Sequence, residues 1–291
     1  MPKVELAADA RASLGECPRW HSGERTLYWV DIPEQALCRT DPETGETRKR
    51  GFDQPVGCFA FRQDGGLVLA MKEGFARLDS FDAAPEPYGE QVEAGRAEIR
   101  FNDGRADARG RFWAGTMNMA KTAADGALYR LDPDGEVTQI ARGVTTANGL
   151  AFSPDGATAY WADTPRHVVW AFDFDLRRGL FSRQRVFHQF PEGQGRPDGA
   201  SVDEAGYYWC ALYDGGRVVR LSPEGEIVQE VAIPARFTTM IGFGGDDLKT
   251  AFVTTARKGL DEAELAKTPH AGGVFRFEVD TPGMAEFEFE G

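Results

Sequence analysis

Apolar and polar residues alternate along almost the whole chain, in short runs broken by Gly, Pro and Asp. The stretch Arg196 to Glu226 shows the pattern most clearly. Alternation begins at Asp198 and passes Ala200 and Val202 to a break at Asp203-Glu204-Ala205-Gly206. It resumes over Tyr207 to Leu212, breaks at Tyr213-Asp214-Gly215-Gly216, and resumes over Arg217 to Leu221 before Ser222-Pro223-Glu224-Gly225. A fourth run, Ile227 to Ile233, follows. A period of two predicts half-buried strands, and Gly and Asp between them supply the positive φ of tight hairpin turns. The stretch therefore reads as a four-stranded antiparallel meander, the size of one propeller blade.

The same unit recurs. Its second strand is represented by LYWVDI (Leu27 to Ile32), LVLAMKEG, RFWAGTM, AYWADT, YYWCALYDG and AFVTTAR (Ala251 to Arg257). Its third is represented by ALCRTDPETGE, FARLDSFD, ALYRLDPDGE, VVWAFDFDLRRG, RVVRLSPEGE and GVFRFEVD. A spacing of roughly 40–50 residues is a blade length. A parallel α/β fold would need an amphipathic helix between strands, and the one helix-like run, Asp261 to Ala266, is short. The pattern predicts an all-β protein, a six-bladed β-propeller of four-stranded antiparallel blades around a central axis, with residues 1–291 forming a single domain. Either residues 4–10 or the run Phe287-Glu288-Phe289 could close the ring, since a closing strand removes a free edge.

Composition narrows the partners. A net charge of −13 and an isoelectric point near 4.9 argue against a nucleic acid or an anionic membrane as partner. No apolar run approaches the roughly 18 residues of a membrane span, and the polar opening MPKVELAADARAS does not read as a secretory signal. Cys17, Cys38, Cys58 and Cys210 have no CxxC spacing and fall in or near strands, which predicts reduced thiols and a cytoplasmic location. His21, His167, His188 and His270 lie apart from one another. There is no GxSxG, HExxH, P-loop or strand-to-helix GxGxxG. The aromatic column Trp29, Trp113, Trp161 and Trp209 reads as packing between blades.

Candidate chemistry emerges when the six first strands are aligned on the turn that follows each. Trp20, Phe61, Ala106, Phe152, Val202 and Phe243 stand just before their turns, and two residues back come Pro18, Phe59, Gly104, Leu150, Ala200 and Ile241. Two further back come Glu16, Gly57, Asn102, Asn148, Asp198 and Thr239. Period-two alternation puts these six on one face at one height around the axis. On the same rule Asp103 points to the opposite face, supporting a turn. Two carboxylates and two amides converging on an axis repel and lack partners, and a divalent cation would resolve both problems. Hard oxygen ligands without His or Cys suit Ca²⁺, Mg²⁺ or Mn²⁺ and admit Zn²⁺ or Fe²⁺. The plainer alternative is that Asn-Gly, Asn-Asp-Gly and Pro-Asp-Gly are turns at strand ends.

The motifs LGECPRW (Leu14 to Trp20), RFNDGRADARGRFWAGTM (Arg100 to Met117), TANGLAFSPDG (Thr146 to Gly156), RPDGASVDEAGYYWCAL (Arg196 to Leu212), GGRVVRLSP and FGGDDLKTAFVTTARKGL resemble, in this order, the regucalcin/gluconolactonase family, also called senescence marker protein. The likeness covers almost the full length, and its closing run looks most like bacterial sugar-acid lactonases. The resemblance implies a six-bladed propeller and a sugar lactonase with one divalent metal cation (Ca, Mg, Mn, Zn or Fe(II)). It implies Glu16, Asn148 and Asp198 as metal ligands, Asn102 beside the metal on the substrate, and Arg100 on sugar hydroxyls. Animal members carry an acidic substrate contact just after the GTM motif. Here that region reads Asn118-Met119-Ala120-Lys121, so the sugar pocket differs. The reading that follows is hydrolysis of an aldonolactone, with the metal as Lewis acid, Asp198 as general base, and a small-molecule sugar lactone as the partner of a monomer or weak oligomer. A propeller phosphotriesterase or aryl esterase, and a calcium-binding propeller without enzyme activity, stand as alternatives.

Overall fold

The computed structural model describes residues 2–291. Six four-stranded antiparallel sheets stand around an axis as a six-bladed β-propeller. Blade 1 comprises Gly15–His21, Thr26–Asp31, Ala36–Thr40 and Thr47–Gly51, and blade 2 Val56–Phe61, Leu67–Met71, Phe75–Leu78 and Glu86–Pro87. Blade 3 comprises Ile99–Ala106, Phe112–Asn118, Gly126–Leu131 and Val137–Val144, and blade 4 Ala147–Phe152, Thr158–Asp163, Val168–Asp175 and Leu180–Gln189. Blade 5 comprises Arg196–Val202, Tyr208–Tyr213, Arg217–Leu221 and Ile227–Ala232. Blade 6 joins Phe237–Gly244, Thr250–Ala256 and Val274–Glu278 to the N-terminal strand Glu5–Ala8. The first strand of each blade is innermost and packs against the first strands of both neighbours, so the ring is closed.

Closure falls to the N-terminal segment, which pairs with Val274–Glu278 through Glu5↔Arg276 and Leu6↔Phe275. The C-terminal run has a different task. After Val279 it crosses the face on which the inner strands end: Met284 N–H donates to Val202 O, Phe289 N–H to Phe61 O and Glu290 N–H to Gly110 O. This strap floors the axis, and Glu286 pairs there with Arg19 at 2.6 Å and Arg105 at 3.6 Å. Burial raises the Glu286 carboxyl, but Arg105 and Arg19 outweigh it and hold the group below its usual range.

Apolar side chains fill the spaces between blades, each worth ~1.5–3 kcal/mol when fully buried. The tryptophan column behaves as packing: Trp29, Trp113, Trp161 and Trp209 are buried. Two of their indoles are bonded to the buried carboxylates that shape the floor turns, Trp113 to Asp107 (2.7 Å) and Trp209 to Asp203 (3.0 Å). All four cysteines are buried and unpaired. The helix-like run forms one short helix, Glu262–Lys267, capped by Asp261. Among the described residues no helix is long and apolar enough to cross a membrane.

Candidate active site

All six inner strands carry a one-residue bulge at the position where the aligned column falls. Pairing with the second strand slips between Glu16 and Arg19, Val56 and Cys58, Phe101 and Gly104, Asn148 and Ala151, Pro197 and Ala200, and Thr238 and Met240. An unpaired extra residue re-aims the side chains around it. The column is therefore real, but strict alternation is not its cause. In blades 1 and 4 the bulge is made by a left-handed residue directly after the ring position, Cys17 (φ 54°) and Gly149 (φ 61°). Such a conformation costs about 1–3 kcal/mol at a non-glycine residue such as Cys17.

The bulge also corrects the placement of Asp103. It is buried with the ring rather than turned away: Oδ2 accepts from Leu150 N–H at 2.9 Å, and Oδ1 has no hydrogen-bond partner.

Four ring positions carry oxygen donors and two hold their neighbours. Gly57 lies so close to blade 3 that a Cβ there would meet the carbonyl carbon and oxygen of Phe101 at 2.5 Å, directly before Asn102. Thr239 Oγ1 donates to Gly15 O at 2.5 Å, directly before Glu16.

A relay of hydrogen bonds orders the rest across three blades. Arg100 Nη1 donates to Asn102 Oδ1 (2.8 Å), Asn102 Nδ2 to Asn148 Oδ1 (2.9 Å), Asn148 Nδ2 to Thr164 Oγ1 (2.7 Å), and the Thr164 hydroxyl to Pro197 O (2.7 Å). A hydroxyl has one proton to give, so Thr164 must accept from Asn148. That fixes the Asn148 amide with its oxygen toward Asn102. Asp198 is the residue after the relay's last acceptor.

Asp198 and Glu16 are both buried, at 5% and 7% exposure. Burial pushes Glu16 well above its usual range, and the charges of Asp198 and Asp103 add to this. Burial and Asp103 raise Asp198 in the same way, with Lys121, Arg196 and Arg100 opposing. No hydrogen bond reaches the Asp198 carboxylate from the described residues, which leaves it open to a ligand. Arg100, half-buried beside them, is pulled down to about 10 by burial against the attraction of Glu16 and Asp198.

Among the described residues no three His, Cys, Asp or Glu side chains gather around a point fit for an ion. The ring instead offers two carboxylates with amide oxygens, and its buried repulsion and orphaned Asp103 Oδ1 suit a hard divalent cation.

Two further carboxylates belong to the site in a supporting role that the sequence pattern did not disclose. Asp31 accepts from Ser13 and Leu14 N–H (3.1 and 3.0 Å), and Asp163 from Thr145 and Thr146 N–H (3.1 and 3.0 Å). Each is fully buried at the end of a second strand and ties down the chain entering the neighbouring ring strand, ahead of Glu16 and Asn148 respectively. The signal available was the matched V-D and A-D endings of LYWVDI and AYWADT in the two blades that share the left-handed bulge.

The family model described as SMP-30/gluconolactonase/LRE-like region matches residues 14–257. A 6-deoxy-6-sulfogluconolactonase from Pseudomonas putida is 43% identical over 279 residues, covering 96% of this chain and 95% of that protein. Regucalcin from Xenopus laevis is 36% identical, covering 99% of both chains. Among solved structures, a calcium-binding protein, regucalcin, from Agrobacterium tumefaciens superimposes with a TM-score of 0.95 at 26% identity, over 99% of this chain and 98% of that one.

Proposed function

The chain belongs to the SMP-30/gluconolactonase/LRE-like family, and on that premise we propose that it is a hydrolase that opens the ester bond of a sugar lactone, with residues 1–291 working as one propeller domain. The observation that carries this reading is the axial ring itself. Two buried carboxylates, Glu16 and Asp198, share a bulged layer with Asn102 and Asn148, next to the half-buried guanidinium of Arg100. The lactonase name of the relative at 43% identity supports the reaction class.

In this reading Glu16, Asn148 and Asp198 hold one divalent cation, which supplies Lewis-acid polarisation of the lactone carbonyl when bound. The relative described as calcium-binding supports a cation of this class. Asp198 takes a proton from the attacking water and returns it to the departing ring oxygen. Its carboxylate, which accepts no hydrogen bond from the described residues, is free for the part. Arg100 and Asn102 hold sugar hydroxyls and orient the carbonyl carbon toward the water, the positioning share of the rate. The relay through Thr164 fixes which way the Asn148 amide is turned, with its oxygen toward Asn102, and so keeps this ligand pre-set.

The deciding experiment is hydrolysis of xylono-, arabinono-, galactono- and gluconolactone, followed by pH indicator on chelated protein with and without added Ca²⁺, Mg²⁺, Mn²⁺ or Zn²⁺. Metal-dependent turnover of one or two lactones is the expected result. Turnover no faster than spontaneous hydrolysis with every metal would refute the lactonase reading.

A further inference from the structure

The ring layer sits near the start of each inner strand. Residues that begin inner strands, and those that follow second strands, therefore surround the mouth of the axis on this face. Four cations occupy such places. Arg100 and Arg196 begin or nearly begin the inner strands of blades 3 and 5, while Lys121 and Lys258 follow the second strands of blades 3 and 6. Lys121 reaches well beyond its own blade: its Nζ lies 6.0 Å from the ring of Tyr213, two blades away, and the Arg196 guanidinium lies 5.3 Å from the same ring. The blade 3 loop thus carries its ammonium across the opening toward blade 5.

Direct ion pairs leave these cations largely unneutralised. The chain has 46 Asp and Glu against 33 Lys and Arg. Yet among the described residues Arg100, Lys121 and Lys258 form no ion pair, and Arg196 has only a long one, 3.8 Å to an Asp214 already held at 2.6 Å by Arg236. The protein around its head group lowers the Lys121 ammonium, Asp198 raises it, and Arg196, Arg100 and Lys258 lower it again. Lys121 thus feels the other three cations. Like charges gathered at the mouth repel one another and focus a field that draws in an anion there, while the opposing charges of Glu16 and Asp198 are buried below.

We propose that the substrate of this site is a sugar lactone bearing an anionic substituent, a sulfonate or phosphate, on the carbon remote from the ring carbonyl. The inference rests on the lactonase reading. The reacting carbonyl must reach the buried Glu16 and Asp198, so the far end of the sugar is what faces the mouth. There Lys121, Lys258 and Arg196 meet it, while Arg100 bridges the two levels. The run that follows Gly115-Thr116-Met117 has no carboxylate before Lys121, so the first charge the blade 3 loop brings is a cation.

The test compares kcat/KM of the metal-loaded full chain on glucono-1,5-lactone and on the same lactone carrying a 6-phosphate or a 6-sulfonate. The charged lactones should be preferred by about 10-fold or more, the anticipated size of a charge-assisted contact. Raising the salt should erode the preference, because exposed charges are screened. The double variant K121M/K258M should lower the charged-to-neutral ratio at least 10-fold, with a thermal melt serving as the check on folding. The better of the two anions identifies the substituent. Equal or lower kcat/KM on both charged lactones, or a ratio unmoved by K121M/K258M, overturns the inference and leaves the lactonase reading standing. No turnover of any of the three lactones overturns the lactonase reading and this inference together.

Discussion

Asp163→Asn separates the two jobs of a buried carboxylate, holding the fold and aiming a ligand. In the native chain Oδ1 accepts from Thr146 N–H at 3.0 Å and Oδ2 from Thr145 N–H at 3.1 Å, with the side chain fully buried. Asparagine keeps the shape but turns one acceptor into a donor, so one backbone N–H is left facing another N–H. A hydrogen bond to a charged group is worth ~1.5–3 kcal/mol and an orphaned buried donor costs ~1–3 kcal/mol. Burial also penalises the native charge, raising the Asp163 carboxyl despite its two backbone donors, and the neutral amide recovers part of that cost. A net loss of ~2–3 kcal/mol follows. The segment released is the one that leads into Asn148, so divalent-cation affinity should also fall, by the roughly 10–100-fold typical of residues that orient a ligand. Asp107→Asn is the matched control. Asp107 is equally buried and accepts from Arg109 and Arg111 N–H, Arg111 Nε and Trp113 Nε1, but it lies at the floor end of blade 3. Urea unfolding should show a comparable or larger stability loss for Asp107→Asn, while calorimetric titration with Ca²⁺ or Mn²⁺ shows a weakened site only in Asp163→Asn. If both variants lose affinity in proportion to stability, the positioning argument is wrong.

Asp198→Asn should lower lactone turnover by a few orders of magnitude without lowering the melting temperature of the metal-free protein, because it removes a charge that burial and Asp103 both oppose; steady-state rates and a thermal melt test both halves. Gly149→Ala places a Cβ 2.3 Å from Tyr208 Oη at φ +61°, so denaturant titration should show at least ~1–2 kcal/mol lost to the left-handed conformation alone, with activity falling as Asn148 shifts. Glu286 is held below its usual range, so its contribution is complete above the ordinary carboxylate pKa and is lost as pH falls through the depressed value. The stability gap between wild type and E286Q should therefore narrow as urea midpoints are followed from neutral pH down to about 3. Glu16 and Asp198 are raised, so their contribution is complete below the ordinary carboxylate pKa and lost as pH rises through the raised one. Chelated protein should accordingly lose stability as pH rises above the ordinary carboxylate range, and a saturating divalent cation should remove that slope.

The segments that alternate with period two and end in Gly, Pro or Asp were legible residue by residue. Arg217–Leu221 is a strand with the boundaries its pattern implies, and Ile227 begins the next one as expected. The aligned column of Glu16, Asn102, Asn148 and Asp198 was also legible, because the repeat itself supplies the register. Asp103 was misplaced because alternation was carried through a bulge, and a bulge adds one residue without changing the local composition that would announce it. Lys121 read only as a missing carboxylate, since a loop residue's reach across the mouth depends on where the loop lies in space.

The chain's alternation and punctuation determine its strands, its six repeats and the height at which polar residues meet the axis, because these follow from contacts local in sequence or repeated with a fixed period. Tertiary structure alone decides which terminus closes blade 6, which carboxylate floors the axis and which donor each ring oxygen faces. The Glu5–Ala8 strand joins blade 6 from the far end of the chain, Glu286 meets an Arg19 that lies 267 residues away, and Thr164 orders Asn148 by accepting from it while donating to Pro197. Such partners are chosen by the closure of the ring, which brings together groups that no period in the sequence relates.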